Sequence, residues 1–329
     1  MTVTDEFTRL TGQFRGELIA HCYRMLGSVH EAEDAVQETY LRAWRSYGGF
    51  EGRSSVRTWL YRIATNACLT AIERSGRRPL PSGLGGPAED PYAPGNTAPE
   101  VAWLEPFPDA LAEEDPAAVA VSREGIRLAL VAALQYLSAR QRAMLILRDV
   151  LDWPAAEVAE LLGTTTTAVN SGLRRARAQL AQALPAQDEV AEPAEPVTRA
   201  LLDRLAAAFE GADVTALAGL LRDDVVLEMP PLRTWFRGRR LVTRFLATRV
   251  LTAPGRFRLV AVTANGQPAF AAYQRQDDGR YEAHSILLPA VTTTGIARMT
   301  VFLTADLFAA FGLPSRYAAT PAGLAGLSL

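Results

Sequence analysis

The sequence lacks lysine altogether and has little cysteine, and each absence limits what the protein can be. All 34 basic residues are arginines, a bias typical of a GC-rich genome and not of a mechanism. Cys22 and Cys68 are the only cysteines, and nothing near them has metal-ligand spacing, so we expect neither a disulfide framework nor a metal site. The N-terminus has no apolar signal segment, and no apolar run approaches the roughly 18 to 20 residues of a membrane span. We therefore expect a cytoplasmic protein with no membrane segment and no cofactor.

Two acidic, proline-rich segments divide the chain of 329 residues. Residues 79–120 hold nine prolines and eight acidic residues but no arginine. They predict an extended linker, because proline lacks the amide donor and like charges repel. A shorter segment at 185–196 has the same composition. The linkers delimit an N-terminal helical domain at 1–78, a middle domain at 121–184, a C-terminal domain at 197–317 and a tail at 318–329.

Three helices are predicted in the N-terminal domain. Apolar residues recur every three or four positions between Phe7 and Cys22, which predicts one helix ending at Gly27. A capping pattern at Ser28 begins the second helix. Residues 54–78 form the third helix, which ends in basic residues.

Charge is segregated within this domain. Residues 42–78 carry eight arginines against two acids, whereas residues 5–38 carry seven acids. An arginine-rich helix with aromatics suits single-stranded nucleic acid, because arginine neutralises phosphates while Trp59 and Tyr61 offer faces for base stacking. Core packing of these aromatics, with the arginines on a solvated face, is the alternative at this point.

Residues 155–180 carry the pattern of a helix-turn-helix. Ala159 allows two helices to cross closely and Gly163 permits the turn. The apolar residues that would hold the pair together are Val158, Leu162, Val169 and Leu173. Short polar side chains at the start of the second helix can reach base edges and phosphates in a major groove. The candidate DNA-binding residues of this helix are Thr165, Thr166, Thr167, Asn170, Arg174, Arg175 and Arg177.

Two alternative interpretations of this motif are open. A helical hairpin of the same pattern need bind no DNA. A two-component-type activator needs an acidic phosphoacceptor pocket in an α/β receiver, and residues 1–78 are predicted to be wholly helical.

Residues 5–78 and 121–184 resemble sigma-70-type factors of the extracytoplasmic-function class. The stretches "DAVQETYLRAW" and "TWLYRIATNACLT" are similar to region 2 of that family. The stretch "LSARQR" and the helix-turn-helix are similar to region 4. The resemblance implies two partners, promoter DNA and core RNA polymerase. On the polymerase it implies binding to the clamp of the largest catalytic subunit and to the flap of the second-largest subunit.

The resemblance also implies roles for individual residues. Those implied to dock on the polymerase clamp are Asp34, Gln37, Glu38, Leu41, Arg42 and Trp44. Residues 50–57 and the following helix would melt and capture the −10 element, which requires a pocket for a flipped base. Their candidate DNA-binding residues are Ser54, Arg57, Trp59, Tyr61, Arg62, Asn66, Arg74 and Arg77. The helix from Thr165 would read the −35 element, and the acidic linker would follow the RNA path.

The C-terminal domain is predicted to be α+β, with two helices followed by strands and a hairpin at Asp278-Gly279. It resembles the SnoaL-like group of cone-shaped barrels, in which helices close one side of a bent sheet and leave a pocket. Candidate pocket residues are Met229, Trp235, Phe236, Phe245, Tyr273, His284 and Met299. The expected fold is therefore multidomain, with two all-α sigma domains and a C-terminal α+β cone-shaped barrel.

Three functions are open for the C-terminal domain. The preferred one is regulation in cis, in which the domain shifts the sigma domains between arrangements through its differential contacts with them. A small-molecule ligand in the pocket is the second. Isomerase or cyclase chemistry is the third, with the nominated residues Asp223, Asp224, Glu228 and His284. An Asp pair there is more often a turn and a single His more often structural, so we assign no catalytic residue and expect no enzyme.

Overall fold

The chain forms two units in a computed structural model. One unit comprises Met1–Pro79 and Ala102–Ala186, and the other comprises Leu80–Val101 and Gln187–Leu329. The described residues are 3–52, 54–92, 95–112, 127–183 and 196–317. The predicted linker at 185–196 apart from Pro196, the end of the first linker and the tail at 318–329 lie outside them. Within the described ranges, no helix is long and apolar enough to span a membrane.

The N-terminal part of the first unit contains the helices α1 Val3–Gly12, α2 Arg15–Leu26, α3 Val29–Ser46 and α4 Val56–Ser75. The prediction of a single helix before Gly27 is wrong, because a turn interrupts the helix between α1 and α2. There Phe14 adopts φ −94° and ψ 1°, and its amide donates to Thr11 O in a tight turn. The expected ends are confirmed: Gly27 closes α2 with φ +73°, and the Ser28 hydroxyl accepts from the Glu31 amide at the start of α3.

The middle part of the first unit contains α5 Leu128–Leu134, α6 Ala139–Leu145, α7 Ala155–Leu161 and α8 Thr166–Ala183. A π-helical turn, Ile146–Val150, continues α6. The helices α7 and α8 confirm the predicted helix-turn-helix. Gly163 makes the turn with φ +58°, and Val158, Leu162, Val169 and Leu173 are all buried.

The second unit has a curved sheet with helices on it. Its helices are α9 Pro196–Glu210, α10 Val214–Ala218, α11 Arg239–Phe245 and α12 Leu307–Ala310, with a π-helical turn Leu246–Val250 continuing α11. Its strands are β1 Leu221–Glu228, β2 Trp235–Arg237, β3 Phe257–Ala264, β4 Gln267–Arg275, β5 Tyr281–Thr292, β6 Gly295–Phe302 and β7 Arg316–Tyr317.

The sheet order is β2-β1-β6-β5-β4-β3, with β7 beside β5. The predicted strands and the hairpin at Asp278-Gly279 are confirmed: β3 to β6 pair consecutively and antiparallel, and Gly279 turns the β4–β5 hairpin with φ +79°. The parallel pairing of β1 with β6 was not predicted. Irregular register between Ala272 and Tyr273, and between Ala290 and Val291, marks bulges that bend the sheet.

The first linker is packed over much of its described length, which differs from the extended segment expected. Short 3-10 turns form at Pro81–Gly83 and Asp109–Leu111. The side chains of Leu80, Ala98, Leu104 and Phe107 are buried. Proline excludes helix and central strand, but a proline-rich segment still offers its carbonyls and its other amides to a neighbouring surface. The composition therefore excluded regular structure without excluding tertiary packing.

Candidate polymerase, DNA and regulatory surfaces

The outer face of α3, defined here as Asp34, Gln37, Glu38, Leu41, Arg42 and Trp44, is accessible. Leu41 is 51% exposed and Trp44 is 40% exposed, which is unusual for large apolar side chains in a helix that has a core to pack against. The opposite face of α3 packs inward through residues such as Val29, Ala32 and Val36. All six residues implied to dock on polymerase thus share one side of α3, where the two apolar side chains have polar and charged neighbours.

The linker holds the beginning of α3. The carboxylate of Glu105 accepts from the Ser28 hydroxyl at 2.7 Å and from the Val29 amide at 3.0 Å, and its Oε2 lies 3.0 Å from His30 Nδ1. The Glu105 amide donates to Gly27 O at 2.9 Å. A carboxylate at a helix N-terminus satisfies free amides and complements the helix dipole. Glu105 therefore positions the helix that carries the outer face.

The first half of α4 carries a polar cluster around Glu17. Arg57 donates to both Glu17 oxygens, at 3.0 and 2.8 Å from Nε and 2.6 Å from Nη2. The Tyr61 hydroxyl donates to the same carboxylate at 3.1 Å. Tyr61 is 1% exposed, and this burial raises the pKa of its hydroxyl. Tyr61 thus lies in the core of this arrangement, whereas Trp59 is half-buried beside the ring of Phe50 at 4.7 Å.

The remaining predicted −10 residues lie along α4 and just beyond it. Asn66, Arg74 and Arg77 are exposed, and Ser54 is half-buried. Arg77 stacks over the ring of Tyr136 at 5.0 Å. Arg62 donates to Glu160 of α7 at 2.9 Å, and this hydrogen bond lowers the pKa of the Glu160 carboxyl. Two arginines predicted to hold −10 DNA are therefore engaged with residues of the middle domain.

The predicted DNA-reading face of α8 is open. Thr165, Thr166, Thr167, Asn170, Arg174, Arg175 and Arg177 are all exposed, whereas Val169, Leu173 and Ala176 pack inward. Ala168 donates its amide to Thr165 Oγ1 at 3.2 Å, so Thr165 caps the helix. Arg177 makes a two-pronged ion pair with Asp149 at 2.9 and 2.6 Å. The structure brings all seven residues to one surface.

A buried arginine joins the middle domain to the N-terminal domain within the first unit. Arg142 of α6 is 1% exposed and donates to Met25 O at the end of α2. It also donates to Gln135 Oε1 at 3.0 Å and to Leu137 O at 3.4 Å. Burial lowers the pKa of its guanidinium to about 10. No sequence pattern above marked Arg142, although its place on the buried face of an amphipathic helix was a usable signal.

The linker segment Leu80–Val101 is called the strap below, and its described residues, 80–92 and 95–101, lie on the C-terminal domain. Its first half pairs with the edge of the sheet at β1 and β2. The Ser82 amide donates to Glu228 Oε1 at 2.8 Å, the Trp235 indole donates to Gly85 O at 2.9 Å, and the Ala88 amide donates to Trp235 O at 2.8 Å. Glu228 is fully buried and also pairs with Arg298.

The second half of the strap crosses the loop before β2 and the end of α11. The Arg233 amide donates to Asn96 O at 2.8 Å and the Ala98 amide to Pro231 O at 3.2 Å. Thr97 forms a β-bridge with Leu232. Arg249 donates to Tyr92 O at 2.8 Å. Hydrogen bonds to the main chain of the strap therefore hold it along both elements.

A cavity of about 210 Å³ lies inside the C-terminal domain. Of the predicted pocket residues, Met229, Phe245, His284 and Met299 line it. Trp235 and Tyr273 are placed elsewhere: the Trp235 indole bonds to the strap, and the Tyr273 hydroxyl donates to Pro314 O at 2.9 Å. Phe236 is fully buried in the core, with its ring 4.6 Å from that of Phe245. Ser285 and Leu232 also line the cavity but were not predicted.

The nominated acid–base residues are dispersed. Asp223 pairs with Arg239 at 3.0 Å, and Asp224 pairs with Arg222 at 2.9 Å. Glu228 alternates along β1 with the lining residues Leu227 and Met229, so it points to the other face of the sheet. Burial, together with Arg256, lowers the pKa of His284 and favours its neutral form. The structure does not bring these carboxylates to the histidine.

Comparisons with known proteins agree with this architecture. Residues 10–78 match Sigma-70 region 2, residues 127–180 match Sigma-70 region 4, and residues 202–302 match the SnoaL-like domain. The chain is 48% identical over 314 residues to the ECF RNA polymerase sigma factor SigG of Mycobacterium tuberculosis, covering 94% of this chain and 84% of that protein. It is 30% identical over 240 residues to SigJ of the same species, covering 70% and 69%.

A solved structure is similar over nearly the whole chain. The crystal structure of the Mycobacterium tuberculosis extracytoplasmic function sigma factor SigJ is similar with a TM-score of 0.61 at 26% identity. The match covers 94% of this chain and 100% of that chain. The similarity thus extends over the two helical sigma regions and the C-terminal SnoaL-like domain of this chain. The chain belongs to the extracytoplasmic-function (ECF) RNA polymerase sigma factors.

Proposed function

We propose that this protein binds core RNA polymerase through the outer face of α3 and directs transcription initiation at promoters that α8 recognises. The observation that carries the proposal is that two large apolar side chains, Leu41 and Trp44, are exposed on that face. Large apolar side chains surrounded by polar ones are typical of a protein-binding surface. The relatives SigG and SigJ, both named as RNA polymerase sigma factors, support it.

In this proposal, the N-terminal and middle domains must separate before both promoter elements are bound. The −10 and −35 elements are about 25 base pairs apart, or roughly 85 Å at 3.4 Å per base pair. In the structure, Arg62 of the −10 helix lies 2.9 Å from Glu160 of the helix-turn-helix. Arg142 and Met25 hold the same two domains together. This arrangement is therefore a closed one that cannot span a promoter.

The C-terminal domain regulates this opening in cis through the strap. The strap is part of the connection between the two sigma domains, and several of its amides and carbonyls bond to the C-terminal domain. A connection held in this way has fewer conformations available, so the separation of the sigma domains is disfavoured. We expect the strap to restrain initiation.

The first experiment is run-off transcription with purified core polymerase and the full-length protein. We expect core binding and promoter-selective transcripts. A protein that fails to bind core polymerase contradicts the sigma assignment. An Arg174→Ala/Arg175→Ala double variant should retain core binding and lose promoter selection, since it changes only the exposed face of α8.

The strap is tested in the same assay with Ala98→Pro. This change removes the amide that donates to Pro231 O, whereas the control Ala98→Gly keeps that amide. We expect more transcript from the proline variant than from the glycine variant at equal core binding. Equal transcription from both variants contradicts regulation through the strap.

A further inference from the structure

The cavity of the C-terminal domain has a mostly apolar wall with a polar group at one place. Leu227, Phe257, Leu287 and Val301 contribute apolar surface, and the polar group is the pair His284 and Ser285 on β5. Their Nδ1 and Oγ atoms lie 3.1 Å apart. The bulge in β5 opposite Ala272 and Tyr273 brings these two consecutive side chains to the cavity.

The chemistry of this wall favours an uncharged occupant. The pKa of His284 is lowered, which favours a neutral imidazole. The guanidinium groups of Arg249 and Arg256 donate to Tyr92 O at 2.8 Å and to Thr252 Oγ1 at 2.6 Å. Both arginines are lining residues, yet the surface of the cavity wall is almost entirely apolar, which is consistent with guanidinium groups that bond to protein oxygens rather than face the cavity. An apolar cavity of about 150 Å³ is known to take up benzene, so a cavity of about 210 Å³ has room for a molecule of about two fused rings.

Two structural elements both line the cavity and bond to the strap. In the loop before β2, Met229 and Leu232 line the cavity, while Pro231 O and the Arg233 amide bond to the strap. At the end of α11 and in the π-helical turn that continues it, Phe245 and Val250 line the cavity, and Arg249 both lines it and donates to Tyr92 O of the strap. The cavity wall is therefore complete when the loop before β2 and the end of α11 with its π-helical turn occupy the positions in which they bond to the strap.

We infer that the cavity binds a small, uncharged, largely apolar molecule with one hydrogen-bonding group, and that its occupation holds the strap in place. The molecule adds contacts to Leu232 and Arg249 in the positions that also bond the strap. A ligand that binds better to the strapped form shifts the population toward it, and by linkage the strap raises the affinity for the ligand. Under the proposed function the occupant is thus a co-repressor of initiation.

The binding site is tested with 2-naphthol, an uncharged fluorescent probe with two fused rings and one hydroxyl. We expect saturable one-to-one binding to the full-length protein and at least tenfold weaker binding of its anionic analogue 2-naphthoate. Val301→Phe fills the cavity and should weaken 2-naphthol binding at least tenfold. The control Val197→Phe makes the same change at a side chain that is 76% exposed and should leave binding unchanged.

Because a phenylalanine in the core can impair folding, Ser285→Ala provides a milder variant. It removes the hydroxyl while keeping the volume, and we expect threefold to tenfold weaker binding of 2-naphthol. Unchanged binding in both folded cavity variants, or tighter binding of 2-naphthoate than of 2-naphthol, overturns the site. Absence of saturable 2-naphthol binding by the wild-type chain overturns it as well.

The coupling is tested by hydrogen–deuterium exchange of residues 80–101 with and without saturating 2-naphthol. We expect slower exchange of the Ala98 amide on binding, with no change in the α8 helix. By reciprocity, Ala98→Pro should weaken 2-naphthol binding while Ala98→Gly does not. Unchanged or faster exchange at Ala98 overturns the coupling. These measurements need no polymerase, so their failure is distinguishable from failure of the sigma assignment.

Discussion

Truncation of Leu41 on the outer face of α3 gives a direct measure of the polymerase contact. Burying a whole leucine side chain contributes about 1.5–3 kcal/mol. Leu41 is 51% exposed, so about half of that free energy, roughly 0.8–1.5 kcal/mol, remains available to an interface. Leu41→Ala should therefore raise the Kd for core polymerase about 4- to 12-fold. The closed arrangement does not alter this ratio of Kd values, because Leu41 takes no part in the contacts of Arg62 with Glu160 and of Arg142 with Met25 that hold the two domains together.

The assay is equilibrium binding of labelled full-length protein to core polymerase. Leu84→Ala is the matched control, because Leu84 is a leucine of similar exposure, 40%, that belongs to the strap and not to α3. Alanine favours the helix and Leu41 is half-exposed, so the free energy of unfolding should change by no more than about 0.5 kcal/mol. A Kd within twofold of the wild type, or an equal effect of Leu84→Ala, refutes the assignment of this face.

Three further predictions concern the first unit. Arg142→Met keeps the volume but leaves Met25 O without its charged donor, so the free energy of unfolding should fall by about 3 kcal/mol in denaturant titration; an unchanged midpoint contradicts this. Burial lowers the pKa of His21 to about 3, so the unfolded state binds a proton first as the pH falls. Protonation of His21 in the unfolded state should therefore lower the free energy of unfolding by about 2 kcal/mol between pH 7 and pH 5. His21→Gln should reduce this pH dependence of stability, and an unchanged pH dependence refutes the prediction. Arg175→Ala should weaken duplex binding and reduce the salt slope by about one, and Arg177→Ala should do so less because Arg177 pairs with Asp149; equal slopes in a salt series count against this.

Much of the local structure could be predicted from the sequence because it depends on neighbouring residues. The turn at Gly163 and the apolar residues around it follow the helical period of 3.6, and the same holds for the inner face of α3. Ser28 caps its own helix, and Gly279 turns its own hairpin. The break between α1 and α2 was missed, since apolar spacing continues across it while the local turn at Phe14 interrupts the hydrogen bonds.

The contacts that set the arrangement depend on residues far apart in the chain. Tyr61 was offered as a stacking face for DNA, yet Glu17, 44 positions away, bonds its hydroxyl in the core. Arg142 bonds a carbonyl 117 positions away. Trp235 was placed in the pocket, but its indole bonds to Gly85, 150 positions away. An apolar or aromatic residue in a pattern shows that burial is favourable without showing which partner buries it.

The sequence by itself determined that the chain contains two helical sigma regions, a helix-turn-helix and an α+β domain. Periodicity, caps and turns are properties of short segments, so they can be read from the residues in order. Only the tertiary structure decided that α4 pairs with the helix-turn-helix and that the strap, one part of the acidic linker, lies on the C-terminal domain. These long-range contacts depend on which of many distant segments buries a given apolar surface or bonds to a given polar group. A local sequence pattern does not specify that partner.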